Sequence, residues 1–89
     1  MKNLMEMYIH TLYEEKEAFW DYIELIDNEN NKEYRSLWYA IAADELQHYS
    51  KLKEVIWGNG EHNSAIESAF FKEIHEEYEE MKKCLEKRK

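Results

Sequence analysis

An all-helical fold is predicted by three features of this sequence: its composition, its apolar spacing and its polar loops. The chain has 89 residues, no proline and two glycines, and proline and glycine are the residues that most often interrupt helices. Apolar residues recur at alternating steps of three and four, which is typical of helices packed along their length. We therefore expect a single domain over residues 1–89, with an antiparallel hairpin at 4–57 and a C-terminal helix at 64–88.

The first helix is predicted from about Leu4 to Ile26. The following segment, 27–31, is rich in Asp and Asn, which favour turns over helix. The short connection makes the first two helices antiparallel neighbours. The predicted core positions of the first helix are Met5, Tyr8, Leu12, Phe19, Tyr22 and Ile26.

The second helix is predicted from about Lys32 to Trp57. Asn30 is the expected N-cap, with Glu33 as its capping-box partner, and the stretch 58–60 (Gly-Asn-Gly) is expected to stop the helix. Its predicted core positions are Tyr34, Leu37 or Trp38, Ile41, Leu52, and Val55 or Ile56.

The third helix is predicted from about Ala65 to Glu86, with a capping box formed by Ser64 and Glu67. Its cationic last turns complement the helix dipole, and we expect them to be a solvated end rather than a binding patch. The predicted apolar stripe is Ile66, Phe70, Ile74, Tyr78 or Glu77, Met81 and Leu85.

The charge of the chain excludes some classes of partner. A net charge of −8 argues against a nucleic-acid partner, because phosphate binding needs a basic face. No window reads as a signal peptide or a membrane span, so we expect a soluble, cytoplasmic protein without a membrane partner. Cys84 is the only cysteine, which excludes a disulfide within the chain and fits a reducing compartment.

Three polar residues interrupt the predicted seams. Glu15 lies between Leu12 and Phe19 on the first helix, and Glu45 and His48 occupy the corresponding gap on the second. Residues 15 and 45 are equidistant from residue 30 in the connecting loop, so an antiparallel hairpin places them at the same height. His48 follows Glu45 by three residues and therefore projects from the same face. We expect these side chains to converge in the core, where an unpaired carboxylate is costly.

Two carboxylates and one imidazole form a ligand set for iron, with manganese or zinc as alternatives. The Glu-x-x-His spacing alone is a weak signal, because roughly one such pair is expected by chance in so acidic a chain. A four-helix di-iron site takes a Glu from each of two helices and a Glu-x-x-His from each of the other two. One chain supplies half of that set, so we expect Glu15, Glu45 and His48 to act as ligands and catalytic residues in a homodimer or higher even-numbered oligomer.

Two other interpretations of these residues stay open. In the first, Glu45 and His48 form an ion pair and Glu15 is hydrogen-bonded to a tyrosine, Tyr8, Tyr22 or Tyr49, which gives a non-catalytic helical interaction module. In the second, the metal is structural, with zinc as the expected ion.

The remaining acidic residues and histidines are expected to lie on the surface. Glu14 and Glu17 point away from the seam, with entry of Fe(II) as their alternative role. Asp44 is expected at the surface, with contact to His48 of a partner copy as the alternative. Tyr49 is expected as a packed aromatic, with a redox role beside the metal as the alternative. On the third helix, we expect a solvated face formed by Glu73, His75, Glu76 and Glu77, of which Glu77 alone is near the apolar stripe. His10 and His62 are also expected to be exposed.

At these residues the sequence resembles the ferritin-like superfamily, and within it the encapsulated ferritins and related short, two-helix di-iron proteins. The stretches 15–22 (EKEAFWDY) and 44–48 (DELQH) carry the resemblance, which covers roughly residues 8–57. It implies that Glu15, Glu45 and His48 bind iron and that a ferroxidase site for iron storage or detoxification forms only between subunits. It also implies rings of dimers inside a protein shell.

The C-terminal segment departs from that pattern. The third helix is long, and the basic stretch 82–89 does not resemble a shell-docking peptide. Rubrerythrin-like and other small ferritin-like relatives are therefore alternatives within the same superfamily. The sequence does not choose between dioxygen and peroxide as the oxidant.

Overall fold

The computed structural model describes residues 3–59 and 65–89, with only the backbone described for residues 59 and 65–68. It contains three helices: α1 (Leu4–Asn28), α2 (Lys32–Asn59) and α3 (Ala65–Glu86). Neither described range contains a strand. The predicted all-helical class is thereby confirmed, whereas the four-helix bundle made by two chains stays a prediction.

The helix ends differ from the predicted ones by small amounts. Both α1 and α2 extend two residues further than predicted, and α2 runs through Gly58 to Asn59. The N-cap of α2 is Asn31, not Asn30, because the Asn31 Oδ1 atom accepts from the backbone N–H of Glu33 at 2.9 Å and of Tyr34 at 3.1 Å. An N-cap side chain bonds two or three residues ahead, so the cap of a helix that begins at Lys32 is the residue just before it.

Some predictions fall outside the described part of the chain. These are the helix stop at Gly60, the capping box of Ser64 and Glu67, the side chain of Ile66 and the exposure of His62.

α3 covers one side of the α1–α2 hairpin. It is antiparallel to α2, since the Tyr49 hydroxyl donates to the backbone carbonyl of Ile74 at 3.2 Å and the Trp57 and Phe71 rings meet at 4.7 Å. It is parallel to α1, because two contacts follow in the same order along both helices. Near the middle, the Trp20 indole donates to Glu77 at 3.0 Å. At the end of both helices, Arg88 donates two hydrogen bonds of 2.7 Å to Asp27.

The core lies where the three helices meet. The predictions for α1 and α3 are confirmed for the described side chains, which are buried or half-buried at every predicted position. The fully buried positions are Leu12, Phe19, Ile23, Ile26, Ala42, Tyr49, Ile56, Ile74, Met81 and Leu85.

The predicted seam of α2 is partly wrong. Tyr34 and Leu37 are 54% and 50% exposed, while Ala42, Tyr49 and Ile56 are the buried positions. The reason is that α2 contacts both α1 and α3, which draws its buried stripe toward α3. The remaining predicted positions agree with the structure, because Trp38, Ile41 and Leu52 are half-buried and Ile56 is buried. In the described ranges, no helix combines the length and apolar character needed to cross a bilayer.

Candidate metal centre

Glu15, Glu45 and His48 converge on the open side of the hairpin. Each offers one ligand atom, and these atoms all lie within 4.8 Å of one another. Glu15 comes from the middle of α1 and the other two from the middle of α2. The predicted register, with residues 15 and 45 level across the hairpin, is confirmed.

The sequence predicted that these three side chains converge in the core. In the structure they lie at the surface of the single chain. The side chains of His48 and Glu15 are 53% and 22% exposed, and Glu45 is half-buried. Burial differs because α3 packs on the other side of the hairpin and leaves this side uncovered.

A contact between His48 and Glu15 joins the two helices. The His48 Nδ1 atom is 3.5 Å from the Glu15 Oε2 atom, so His48 pairs with Glu15. The polar-network interpretation had predicted a pair of His48 with Glu45. The Tyr49 hydroxyl donates to the Ile74 carbonyl and Tyr49 is 2% exposed. The packed-aromatic interpretation of Tyr49 therefore describes it correctly.

Glu45 holds its proton unusually tightly. The pKa of its carboxyl is raised from 4.5 to about 7, chiefly by desolvation and then by a hydrogen bond to Glu15 and the charge of Glu15. The charge of His48 acts in the opposite direction. Two carboxylates that share a site cannot easily both ionise without a cation. A cation that binds between Glu15 and Glu45 would therefore displace the proton from Glu45.

Exposed apolar side chains flank this group on the same face. Leu4, Tyr34 and Leu37 each precede one of the three polar residues, Glu15, Glu45 and His48 respectively, by 11 positions in the sequence. This spacing is close to three helical turns and keeps each pair on one side of its helix. The three apolar side chains are 60%, 54% and 50% exposed. We call the face formed by these six residues the open face.

The open face points away from α3. Trp20, which contacts α3 through Glu77, follows Glu15 by five positions and therefore lies about 140° round α1 from it. The exposed apolar part of the open face was not predicted from the sequence, because Tyr34 and Leu37 have the spacing of core residues. The 11-residue spacing was the signal that connects them to the polar group.

The donor set suits a divalent metal ion. Carboxylate oxygens and an imidazole nitrogen bind Fe, Mn or Zn at about 2.0–2.2 Å, so two ligands of one ion lie roughly 3–4.4 Å apart. The distance between His48 and Glu15 lies in that range, and the 4.8 Å span of the set exceeds it only slightly. The residues present therefore fit a metal after small side-chain rotations.

The other polar residues lie where the sequence predicted. Glu14, Glu17 and Asp44 are exposed, and Glu14 pairs with His10 at 3.1 Å along α1. On α3, the exposed residues are Glu73, His75 and Glu76, whereas Glu77 is half-buried beneath Trp20.

The chain matches no protein-family model, no curated protein and no solved structure in these comparisons. The ferritin-like assignment of residues 8–57 therefore stays a prediction, and its support comes from the chemistry of the site.

Proposed function

We propose that this chain is a ferritin-like di-iron protein that oxidises Fe(II) to Fe(III) at a site shared between two copies. The observation that carries the proposal is the convergence of the ligand atoms of Glu15, Glu45 and His48 within 4.8 Å. The three residues come from two helices. Two carboxylates and an imidazole are the groups that iron sites of helical bundles use.

The position of the group on the open face supports a site between chains. Three protein ligands leave an iron ion incompletely coordinated, and a second copy related by a two-fold axis would bring the same three residues to the same place. The exposed Leu4, Tyr34 and Leu37 lie on the same face about three turns from the group, and such a copy would cover them.

The open face is also large enough for a dimer. α1 has 25 residues and is therefore about 38 Å long, and two adjacent helices present a face on the order of 700 Å². Stable interfaces bury about 800 Å² per partner. A face of this size is consistent with a stable pair of hairpins.

The residues of the chain have distinct parts in this function. Bound iron supplies the redox chemistry, since two Fe(II) ions give two electrons to dioxygen or peroxide. Glu15 and Glu45 provide negative charge that favours the more highly charged Fe(III), and Glu45 releases its proton as the cation enters. His48 contributes a neutral nitrogen donor, and its exposure leaves it free to reorient.

Ferroxidase activity of single-site variants tests this proposal. Fe(II) oxidation is followed by absorbance and by oxygen uptake for wild type and for Glu15→Ala, Glu45→Ala and His48→Ala. We expect each variant to lose at least about tenfold in rate, because changes around metal sites cost about 10–100-fold. The matched control is Glu14→Ala, which removes an exposed carboxylate adjacent to Glu15 and should keep the wild-type rate. Oxidation by wild type at the rate of buffer alone would overturn the proposal.

A non-catalytic helical dimer is the second candidate, favoured by the pairing already present among the three residues. The contact of Glu15 with His48 and the shared proton between Glu15 and Glu45 satisfy the group without a metal. In that case Glu45→Ala should change the oligomeric state while added Fe(II) changes nothing.

A further inference from the structure

A cleft lies at the end of the bundle where the start of α2 meets the end of α3. It has a volume of about 430 Å³ and is lined by Ile26, Lys32, Arg35, Ser36, Tyr39, Arg88 and Lys89. We call it the basic cleft. No acidic side chain of the described residues belongs to its lining.

The basic cleft concentrates positive charge in an acidic protein. The whole chain has 12 Lys and Arg residues and a net charge of −8, yet four of those cations line this one cleft. Asp27 compensates Arg88 through two hydrogen bonds of 2.7 Å. Glu29 lies near Arg35, and its carboxylate accepts from the Trp38 indole and the Asn31 backbone.

Arg35 is oriented by a contact with a backbone carbonyl, and the Glu29 carboxylate attracts its charge through space. The Arg35 Nε atom donates to the backbone carbonyl of Glu29 at 3.2 Å, and a carbonyl fixes a guanidinium without neutralising it. A guanidinium held in place binds carboxylate and phosphate groups in a bidentate manner. The first turn of α2 carries Lys32 and Arg35, and the positive end of the helix dipole adds to their attraction for an anion.

The remainder of the lining is apolar or weakly polar. Ile26 is 5% exposed, and the half-buried Tyr39 ring lies beside it in the lining. Ser36 adds one hydroxyl. A ligand that fits both parts has an anionic group attached to an apolar body, because neither inorganic phosphate nor a neutral hydrocarbon uses both.

We propose that the basic cleft binds a small organic anion, a phosphate or carboxylate group on an aromatic or aliphatic body. Lys32, Arg35 and Lys89 bind the anionic group, and Ile26 and Tyr39 contact the body. The site goes beyond the iron chemistry, since Tyr39 follows Leu37 of the open face by two positions and lies about 160° round α2 from it. A second copy on the open face would therefore leave the basic cleft accessible.

Phenyl phosphate, benzoate, inorganic phosphate and phenol are the probes that test this site, by ¹H–¹⁵N NMR titration of the full chain. We expect phenyl phosphate or benzoate to shift the backbone amides of Lys32, Arg35, Ser36 and Tyr39 at concentrations at least about tenfold below those that inorganic phosphate or phenol require. The stronger of the two binders identifies the anionic group as phosphate or carboxylate.

Matched variants distinguish the cleft from general attraction to lysine and arginine. Lys32→Gln with Arg35→Gln should raise the dissociation constant at least about tenfold. The control, Lys51→Gln with Lys82→Gln, removes the same charge from exposed positions outside the lining and should leave the constant unchanged. Equal losses in both double variants, or amide shifts scattered over the surface, would overturn the proposal. Because both double variants retain Glu15, Glu45 and His48, iron uptake measured on them is expected to stay at the wild-type level.

Discussion

At the scale of single residues, the proton of Glu45 is the most informative feature of the candidate site. Its carboxyl is desolvated on the open face and hydrogen-bonded to Glu15, which raises its pKa from 4.5 to about 7. Two carboxylates in contact at neutral pH repel each other unless a proton or a metal ion lies between them. The metal-free protein therefore holds a proton at the place where a cation would bind.

This raised pKa predicts how stability changes with pH. Between pH 4.5 and 7 the folded protein holds a proton on Glu45 that the unfolded chain has lost, so the free energy of unfolding contributed by this group falls as the pH rises through that window. We expect wild type to lose about 1 kcal/mol more than Glu45→Gln over that range, after allowance for solvent screening. Urea unfolding in the presence of a chelator, at intervals from pH 4.5 to 8, measures both slopes.

Glu14→Gln is the control for that measurement, because Glu14 is exposed and lies outside the group. Its slope should equal that of wild type. Identical slopes for wild type and Glu45→Gln would show that the two carboxylates do not share a proton.

A second prediction concerns Tyr49, whose buried hydroxyl joins α2 to the Ile74 carbonyl of α3. Burial also raises the pKa of this phenol, which keeps it protonated. Tyr49→Phe should lower the free energy of unfolding by about 1 kcal/mol, the usual contribution of one hydrogen bond. Chemical denaturation measures this value, and Tyr13→Phe, at a 46% exposed position, should change it by less than half as much.

At the scale of helices, the sequence predicted the elements well and their faces less well. α1 has one buried stripe, so its apolar spacing identified Leu12, Phe19 and Ile26 as core positions and missed only Ile23 between them. α2 has apolar residues on two sides, and spacing alone does not tell which side is covered. Tyr34 and Leu37 were therefore assigned to the core although they are half exposed.

The candidate site was predictable for a different reason. The register of an antiparallel hairpin depends on the position of its loop, and the loop was evident from the Asp and Asn residues between 27 and 31. The equal distances of residues 15 and 45 from that loop sufficed to pair them. The exposure of the group was not predictable, because it depends on which side of the hairpin α3 covers.

The packing of α3 gives a prediction at this scale. Met81 is fully buried at the contact of α3 with the hairpin, and its truncation leaves a cavity. Met81→Ala should lower the free energy of unfolding by about 2–4 kcal/mol, as measured by urea denaturation. Lys82→Ala, the exposed neighbour on the same helix, should change it by no more than about 0.5 kcal/mol. Equal effects of the two variants would mean that α3 does not pack on the hairpin as described.

At the scale of the whole molecule, the covered and open sides of the hairpin have different roles. α3 completes the core on one side, and the other side presents two glutamates and one histidine on the same face as exposed apolar side chains. If a second copy covers the open face, then metal binding and self-association are linked and each strengthens the other.

That linkage predicts a variant that loses both properties without touching a ligand. Leu37→Asp places a charge on the open face, three turns from His48, and should yield monomers with at least about tenfold weaker Fe(II) binding. Sedimentation velocity reports the oligomeric state, and calorimetric titration under nitrogen reports the affinity. Tyr13→Asp, at an exposed position on the α3 side, should keep both at the wild-type level. A monomeric Leu37→Asp variant that binds Fe(II) as tightly as wild type would show that one chain holds the whole site.

Native mass spectrometry during an anaerobic Fe(II) titration tests the central claim most directly, since it counts chains and metal ions in the same particle. The account predicts an even-numbered oligomer that takes up Fe(II) and saturates at about one ion per chain, with uptake abolished in Glu45→Ala and retained in Glu14→Ala. An oligomer or monomer that stays metal-free in excess Fe(II) would contradict the account, and Glu15, Glu45 and His48 would then be a polar group that pairs helices.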